Sequence, residues 1–223
     1  MSDFFKIDSR LLELAEKAEA DCQKPFARIS EIETYNNEKV LRAFIDNRVS
    51  ENLFAGSSGY GYDDRGREIL DQVWSQVFGT ENSLVRHNFM SGTHAISTAL
   101  FGVLRPGDKM VSLTGTPYDT LNGVIHGEGV GSLKEFGVIY DELPLLDDGS
   151  VDYEGIPEAV KGAKMAYIQR SRGYSTRASL KIEVIKKIFD IVHEANPEAI
   201  CVCDNCYGEF VDKVEPTQVG ADL

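Results

Sequence analysis

Residues 83–115 read SLVRHNFMSGTHAISTALFGVLRPGDKMVSLTG. The apolar pattern starts with strand character over 83–87. It then takes a helical period over 93–104, with Ala95, Ile96, Ala99, Leu100 and Val103 on one face. Pro106-Gly107 breaks the helix, and 109–113 returns to strand. The alternation continues with a helix over 118–126 and strands over 136–140 and 165–169. A helix over 179–195 carries Ile182, Ile185, Ile188, Phe189 and Val192, and a last strand covers 199–203. Strands and helices that alternate in this way predict an α/β fold, a three-layer sandwich whose mostly parallel sheet is covered by helices on both faces.

Upstream of this unit the chain reads as helical. Asp8 stands where a cap is expected, ahead of Leu11, Leu12, Ala15 and Ala18 on one face. A second helix is expected to carry Val40, Leu41, Phe44 and Ile45. Residues 52–63, NLFAGSSGYGYD, have no apolar periodicity and read as a loop. An amphipathic helix follows, with Ile69, Leu70, Val73, Trp74, Val77 and Phe78 at helical spacing. The division expected is an N-terminal helical segment at 1–50 and a sheet-containing domain at 51–223.

Composition narrows the function. The chain has 223 residues, 23 Lys+Arg against 36 Asp+Glu, and a formal charge of −13. Such a balance argues against nucleic acid as a partner and against an anionic membrane surface. The longest stretch free of Asp, Glu, Lys and Arg, 87–104, holds Asn, Ser, Thr and two His, so no membrane span is expected. The first 30 residues are too charged for a signal peptide, and a reducing cytoplasm is the default location. The four cysteines therefore read as thiols. Cys201-x-Cys203-x-x-Cys206 has no second Cys or His pair at ligand spacing, so structural thiols are expected there and no metal.

In parallel sheets, ligands bind beyond the carboxyl ends of the strands. Segments 89–94, 114–119, 169–177 and 204–207 fall at that edge and are rich in polar and aromatic residues. Ser91, Gly92 and Thr93 open a helix, where backbone amides, hydroxyls and the helix dipole suit a phosphate; an ordinary cap would need only one of them. Asp204 ends an apolar strand, where a carboxylate needs a cationic or proton-donating partner. It would suit a protonated heterocyclic nitrogen, or it starts an Asp-Asn turn. Tyr118 and Tyr207 offer aromatic faces nearby. His94, on the helix after the phosphate loop, is either a cofactor contact or a surface residue.

The segments GYGYDDRGRE, SGTHAIS, LTGTPYDTL, QRSRGYS and CDNCYGEF together resemble the methionine gamma-lyase-like family of aluminium-resistance proteins. These are fold-type-I pyridoxal-phosphate enzymes related to the cystathionine lyases, and the resemblance runs along nearly the whole chain. It implies pyridoxal 5'-phosphate as cofactor, with Ser91, Gly92 and Thr93 on its phosphate, Tyr118 stacked on its ring and Asp204 on its ring nitrogen. Tyr60, Tyr62 and Arg65 resemble the segment that reaches the phosphate of a neighbouring subunit. Arg170 and Arg172 are candidates for the carboxylate of an amino-acid substrate, although exposed loop arginines are common. The implied reaction is β or γ elimination from a sulfur-containing amino acid in a homodimer or homotetramer.

Such an enzyme also needs a lysine that bonds the cofactor covalently. After Asp204 the only lysine is Lys213, in the charged run Val-Asp-Lys-Val-Glu, which reads as surface. Lys213 is rejected for that role. The expectation is a partial chain that stops where another strand should begin, lacks the small C-terminal domain and is inactive alone. The alternative is a non-catalytic relative that binds or assembles in metal stress.

Overall fold

The computed structural model describes residues 5–60 and 64–223. Four strands, β1 (Lys109–Ser112), β2 (Ile139–Glu142), β3 (Met165–Gln169) and β4 (Ile200–Asp204), form one sheet in the order β2-β1-β3-β4, and every neighbouring pair is parallel. The fully buried β3 lies between β1 and β4. Alternate side chains along the strands feed two cores, as the two-residue period of a strand requires. Val111, Ala166, Ile168 and Cys201 face one core, and Met110, Met165, Tyr167 and Val202 face the other.

Helices close both faces. On the first, α7 (Ile182–Ala195) buries Ile182, Ile185, Ile188, Phe189 and Val192, joined by the short α6 (Ile156–Ala159). On the second, α4 (Gly92–Val103) contributes Leu100, and α5 (Asp119–His126) contributes Leu121 and Ile125. The chain moves outward from β1 to β2, then crosses back over β1 to β3. With right-handed crossovers, that reversal places α5 and α6 on opposite faces. It also makes the β1/β3 junction the point where strand order reverses, and there the carboxyl ends of the strands open a crevice.

Three N-terminal helices lie beside this body: α1 (Ser9–Asp21), α2 (Gln23–Asp46) and α3 (Arg65–Phe78). Asp8 caps α1, its Oδ1 accepting from the Arg10 amide at 2.9 Å. Val73 and Val77 of α3 pack on Ala43 of α2, and the Asn36 side chain donates to Phe210 O and Asp212 O at 3.0 Å each. The apolar stripe read on the first two helices stays largely uncovered among the described residues. Leu11, Leu41 and Ile45 keep about 60% of their surface.

Two expected strands differ from what forms. Residues 83–87 make no ladder among the described residues; the Val85 amide donates to Asp71 Oδ1 (2.8 Å), and Arg86 pairs with the same carboxylate (2.7 Å). Here side-chain bonds to α3 satisfy groups that a neighbouring strand would otherwise serve. The strand expected at 136–140 starts only at Ile139, because Phe136 and Gly137 close a turn, with Gly137 at φ +88°. After β4 the chain returns alongside it. The Leu223 amide donates to Cys201 O (3.2 Å), and Leu223 O accepts from the Cys203 amide (2.9 Å). This is the offset of a parallel neighbour.

Candidate functional site

A cavity of about 780 Å³ opens at the carboxyl edge of the sheet. Gly92, Thr93, Tyr118, Arg172 and Asp204 all line it, together with Tyr207. Segments far apart in sequence meet here because β1, β3 and β4 run parallel and end together.

One wall is the start of α4. The Ser91 Oγ accepts from the His94 amide at 3.1 Å, and Ser91 O accepts from the Ala95 amide at 3.1 Å. The Gly92 and Thr93 amides come first in the helix and have no preceding turn to bond. A Cβ built on Gly92 would meet nothing within 4 Å, so the backbone is open to a ligand. Thr93 Oγ1 lies 2.8 Å from Thr120 Oγ1. His94 Nδ1 accepts from the Met90 amide at 3.3 Å, which fixes that ring in the loop.

Asp204 forms the opposite wall. It is the last residue of β4, in register with Gln169. The Cys206 amide donates to its Oδ1 at 3.1 Å, and the fully buried Tyr167 hydroxyl donates to its Oδ2 at 3.4 Å. Among the described residues no cation pairs with it. Burial pushes its carboxyl pKa above the ordinary value, and these two hydrogen bonds pull only partly against that. A partly buried carboxylate with two neutral donors and no cation suits a ligand that brings its own N–H⁺.

Between the walls lies Tyr118, at the cap of α5, with the exposed Tyr174 ring 5.5 Å away, tilted by 36°. Gln169 holds this arrangement. Its Oε1 accepts from the Tyr118 amide (2.7 Å), its Nε2 donates to Ser171 O (3.0 Å), and its own amide donates to Thr114 Oγ1 (3.2 Å). Gly173, at φ +56°, brings the loop against Tyr118; an added Cβ would stand 3.3 Å from Tyr118 Cδ2. Gln169, Tyr167 and Arg177, which donates to Gln169 O at 2.8 Å, were not singled out in the sequence. The signal for Tyr167 and Gln169 was their parity on a buried strand that ends at the site edge.

The two candidate arginines separate. Arg172 is exposed and lines the cavity. Arg170 is 3% exposed and donates to Leu180 O, Asn205 Oδ1, Gly208 O and Asp212 Oδ2, the last at 2.6 Å. This corrects the reading of Arg170 as a substrate contact, because its guanidinium is turned inward to tie the 205–212 loop to β3. Lys213 is exposed, with its ammonium 5.7 Å from the Tyr35 ring and away from the cavity. Tyr60 is 83% exposed, Arg65 is exposed at the start of α3, and neither lines the cavity; Tyr62 lies outside the described residues. Tyr207 is exposed at the cavity rim, in a left-handed backbone conformation (φ +65°) that is uncommon outside glycine.

Comparison with known proteins gives consistent results. Residues 11–223 match the family model described as methionine gamma-lyase. The chain is 47% identical to YnbB of Bacillus subtilis (strain 168), a protein of unassigned function, over 96% of this chain and 52% of that protein. A solved carbon-sulfur lyase involved in aluminium resistance from Clostridium novyi NT superposes with a TM-score of 0.93 at 46% identity, covering 99% of this chain and 54% of that one. A Clostridium acetobutylicum structure, provisionally named a cystathionine beta-lyase involved in aluminium resistance, gives 0.94 at 48%, covering 99% and 53%. MetB of Corynebacterium glutamicum shares the fold alone, with a TM-score of 0.52 at 19% identity, over 78% of this chain and 44% of that one. The chain thus spans about half the length of the relatives it matches. No helix among the described residues is long and apolar enough to cross a membrane.

Proposed function

Because the chain belongs to the methionine gamma-lyase family, we propose that the protein of which it forms about half is a pyridoxal-phosphate-dependent carbon–sulfur lyase. Its substrate would be a sulfur-containing amino acid, cleaved by β or γ elimination. Asp204 carries the reading: a partly buried carboxylate at the end of a strand, held by two neutral donors and, among the described residues, without a cation. The cofactor, when bound, supplies a conjugated electron sink next to the amino acid's α-carbon.

The residues of this chain divide the work of holding it. The Gly92 and Thr93 amides, the Thr93 hydroxyl and the start of α4 take the phosphate, and Ser91 shapes that turn by capping the helix. Tyr118 lies against the ring, and the bond from its amide to Gln169 fixes where it stands. Asp204 keeps a proton on the ring nitrogen, which holds the ring in its electron-withdrawing form. Tyr167 and the Cys206 amide orient the carboxylate for that role. Arg172 binds the substrate carboxylate. The Tyr60, Tyr62 and Arg65 segment serves a neighbouring subunit in a homodimer or homotetramer. The covalent lysine belongs to the other half of the protein, so residues 1–223 alone are inactive. The setting is cytoplasmic.

The test is incubation of the full-length protein and cofactor with cystathionine, methionine or cysteine, and assay of 2-oxo acid and ammonia. Release of both with one of these substrates, lost in Asp204→Ala, is expected. Absence of turnover with all three, or full activity in Asp204→Ala, overturns the reading.

A further inference from the structure

At the opposite end of β4 from the cavity, three ligating side chains from different elements converge. Cys201, the second residue of β4, is fully buried. His193 comes from the last turn of α7, and Asp222 from the segment that returns along β4. One ligand atom from each lies within 4.8 Å of the other two. His193 Nε2 is 3.4 Å from Cys201 Sγ and 3.9 Å from Asp222 Oδ2. We propose that His193, Cys201 and Asp222 form a binding site for a zinc-class divalent metal ion, separate from the cofactor site.

The distances suit such an ion. Tetrahedral coordination with metal–nitrogen bonds of about 2.0 Å and metal–sulfur bonds of about 2.3 Å separates the N and S atoms by about 3.5 Å. The pair is already at 3.4 Å. The same geometry asks for about 3.3 Å between N and O. The Asp222 side chain is 52% exposed, and the ion would draw its carboxylate inward by that difference. The His193 side chain is 40% exposed, so the fourth position faces solvent and takes water. Cys201 and Asp222 both approach His193 at Nε2, which excludes a Cys-His-Asp relay, since that would need the carboxylate on Nδ1.

The surroundings are built to hold the three groups. The Cys201 amide donates to Asp222 Oδ2 at 2.8 Å, which orients the carboxylate as an outer-shell bond does. Gly220, at φ +114°, sits where an added Cβ would stand 3.1 Å from Phe189 Cβ and 3.6 Å from His193 Cε1. Only glycine lets the returning segment pass this close to α7 and carry Asp222 over Cys201. The site lies about 10 Å along the strand from Asp204. Strand alternation turns Cys201 toward the α7 face, opposite Asp204. No ligand spacing in the sequence marks it, because its ligands are separated by 7 and 20 intervening residues.

Binding would exchange one bond for another without redox change. Burial and the Asp222 carboxylate push the Cys201 thiol up to about 12, so the free site holds S–H. The ion would form a metal–sulfur bond as the S–H proton leaves to solvent, with an imidazole nitrogen of His193 and a carboxylate oxygen of Asp222 as the other protein ligands. The ion would fasten α7, β4 and the outgoing chain together. Thiolate and imidazole select zinc-class ions over hard oxygen-seeking ones, so aluminium(III) is not expected to compete.

Cobalt(II) titration of metal-free full-length protein tests this, read by the thiolate-to-cobalt charge-transfer band and by equilibrium dialysis. One equivalent should bind and be displaced by zinc but not by aluminium(III). Cys201→Ser and His193→Gln should each weaken binding by more than about 100-fold, while Cys206→Ser and Cys22→Ser leave it unchanged. His193→Gln alters a half-exposed side chain and keeps the test open if Cys201→Ser does not fold. Absence of cobalt binding would mean a plain thiol–imidazole hydrogen bond and overturn the proposal. So would a band that survives His193→Gln or vanishes in Cys206→Ser. None of these readouts depends on the pyridoxal cofactor.

Discussion

Replacing Arg170 by methionine separates structure from substrate binding at one residue. The guanidinium makes four hydrogen bonds inside the protein, and its ion pair with Asp212 is 2.6 Å long. Methionine keeps most of the aliphatic volume beside Gly208, where an added Cβ would stand 2.5 Å from Arg170 Cδ. The loss is therefore mainly polar. Breaking a buried ion pair from one side costs about 3–5 kcal/mol. Asp212 is 23% exposed, so water can take over part of its charge, which favours the lower end, about 3 kcal/mol. The assay is urea unfolding of the full-length protein followed by circular dichroism, alongside KM for the best substrate. Arg170→Met should lower stability by that amount. Arg172→Ala should leave stability within about 0.5 kcal/mol and raise KM. A stable Arg170→Met protein with a large rise in KM would refute the structural role and restore Arg170 as a substrate contact.

Asp204→Asn should reduce turnover by about 100-fold or more, the scale for loss of one preorganised electrostatic partner. Its effect on the cofactor-free protein runs the other way. The folded carboxyl pKa is raised above its unfolded value, so the folded state binds protons more readily and stability falls as pH rises through that window. Asparagine removes this slope, and thermal melts from acid to neutral pH should show the variant gaining relative stability toward neutrality. Gly173→Ala combines a left-handed backbone with a close approach to Tyr118. It should weaken cofactor binding about tenfold, for about 1.4 kcal/mol, measured by spectrophotometric titration. Ile185→Ala removes a fully buried side chain of α7 and should cost about 3 kcal/mol in urea unfolding.

The parts of the fold that the sequence made legible are those where periodicity and local chemistry agree. Residues 165–169 form a strand with the expected limits, because an apolar run between polar segments can bury only on both faces of a sheet. The apolar spacing of α7 marks the residues that it buries. Residues 83–87 misled because apolar content alone does not provide a ladder, and Asp71 took the amide of Val85 instead. Among the candidate site residues, Gly92, Thr93, Tyr118, Arg172 and Asp204 line one cavity because they sit where helices begin or strands end. Arg170 shares its segment with Arg172, and burial is what separates them. No sequence pattern states which of two arginines faces a loop that starts 35 residues beyond Arg170. Gln169 and Tyr167 act through single bonds across strands, and those pairings exist only after the register is set.

The most direct test is borohydride reduction of the full-length protein with its cofactor bound, followed by intact mass and peptide mapping. One reduced pyridoxyl group per chain is expected, on a lysine outside residues 1–223, with the modification diminished in Asp204→Ala. A protein that carries no such group, or one that carries it on Lys213 or another lysine within 1–223, would contradict the assignment of the sheet edge as half of a cofactor site.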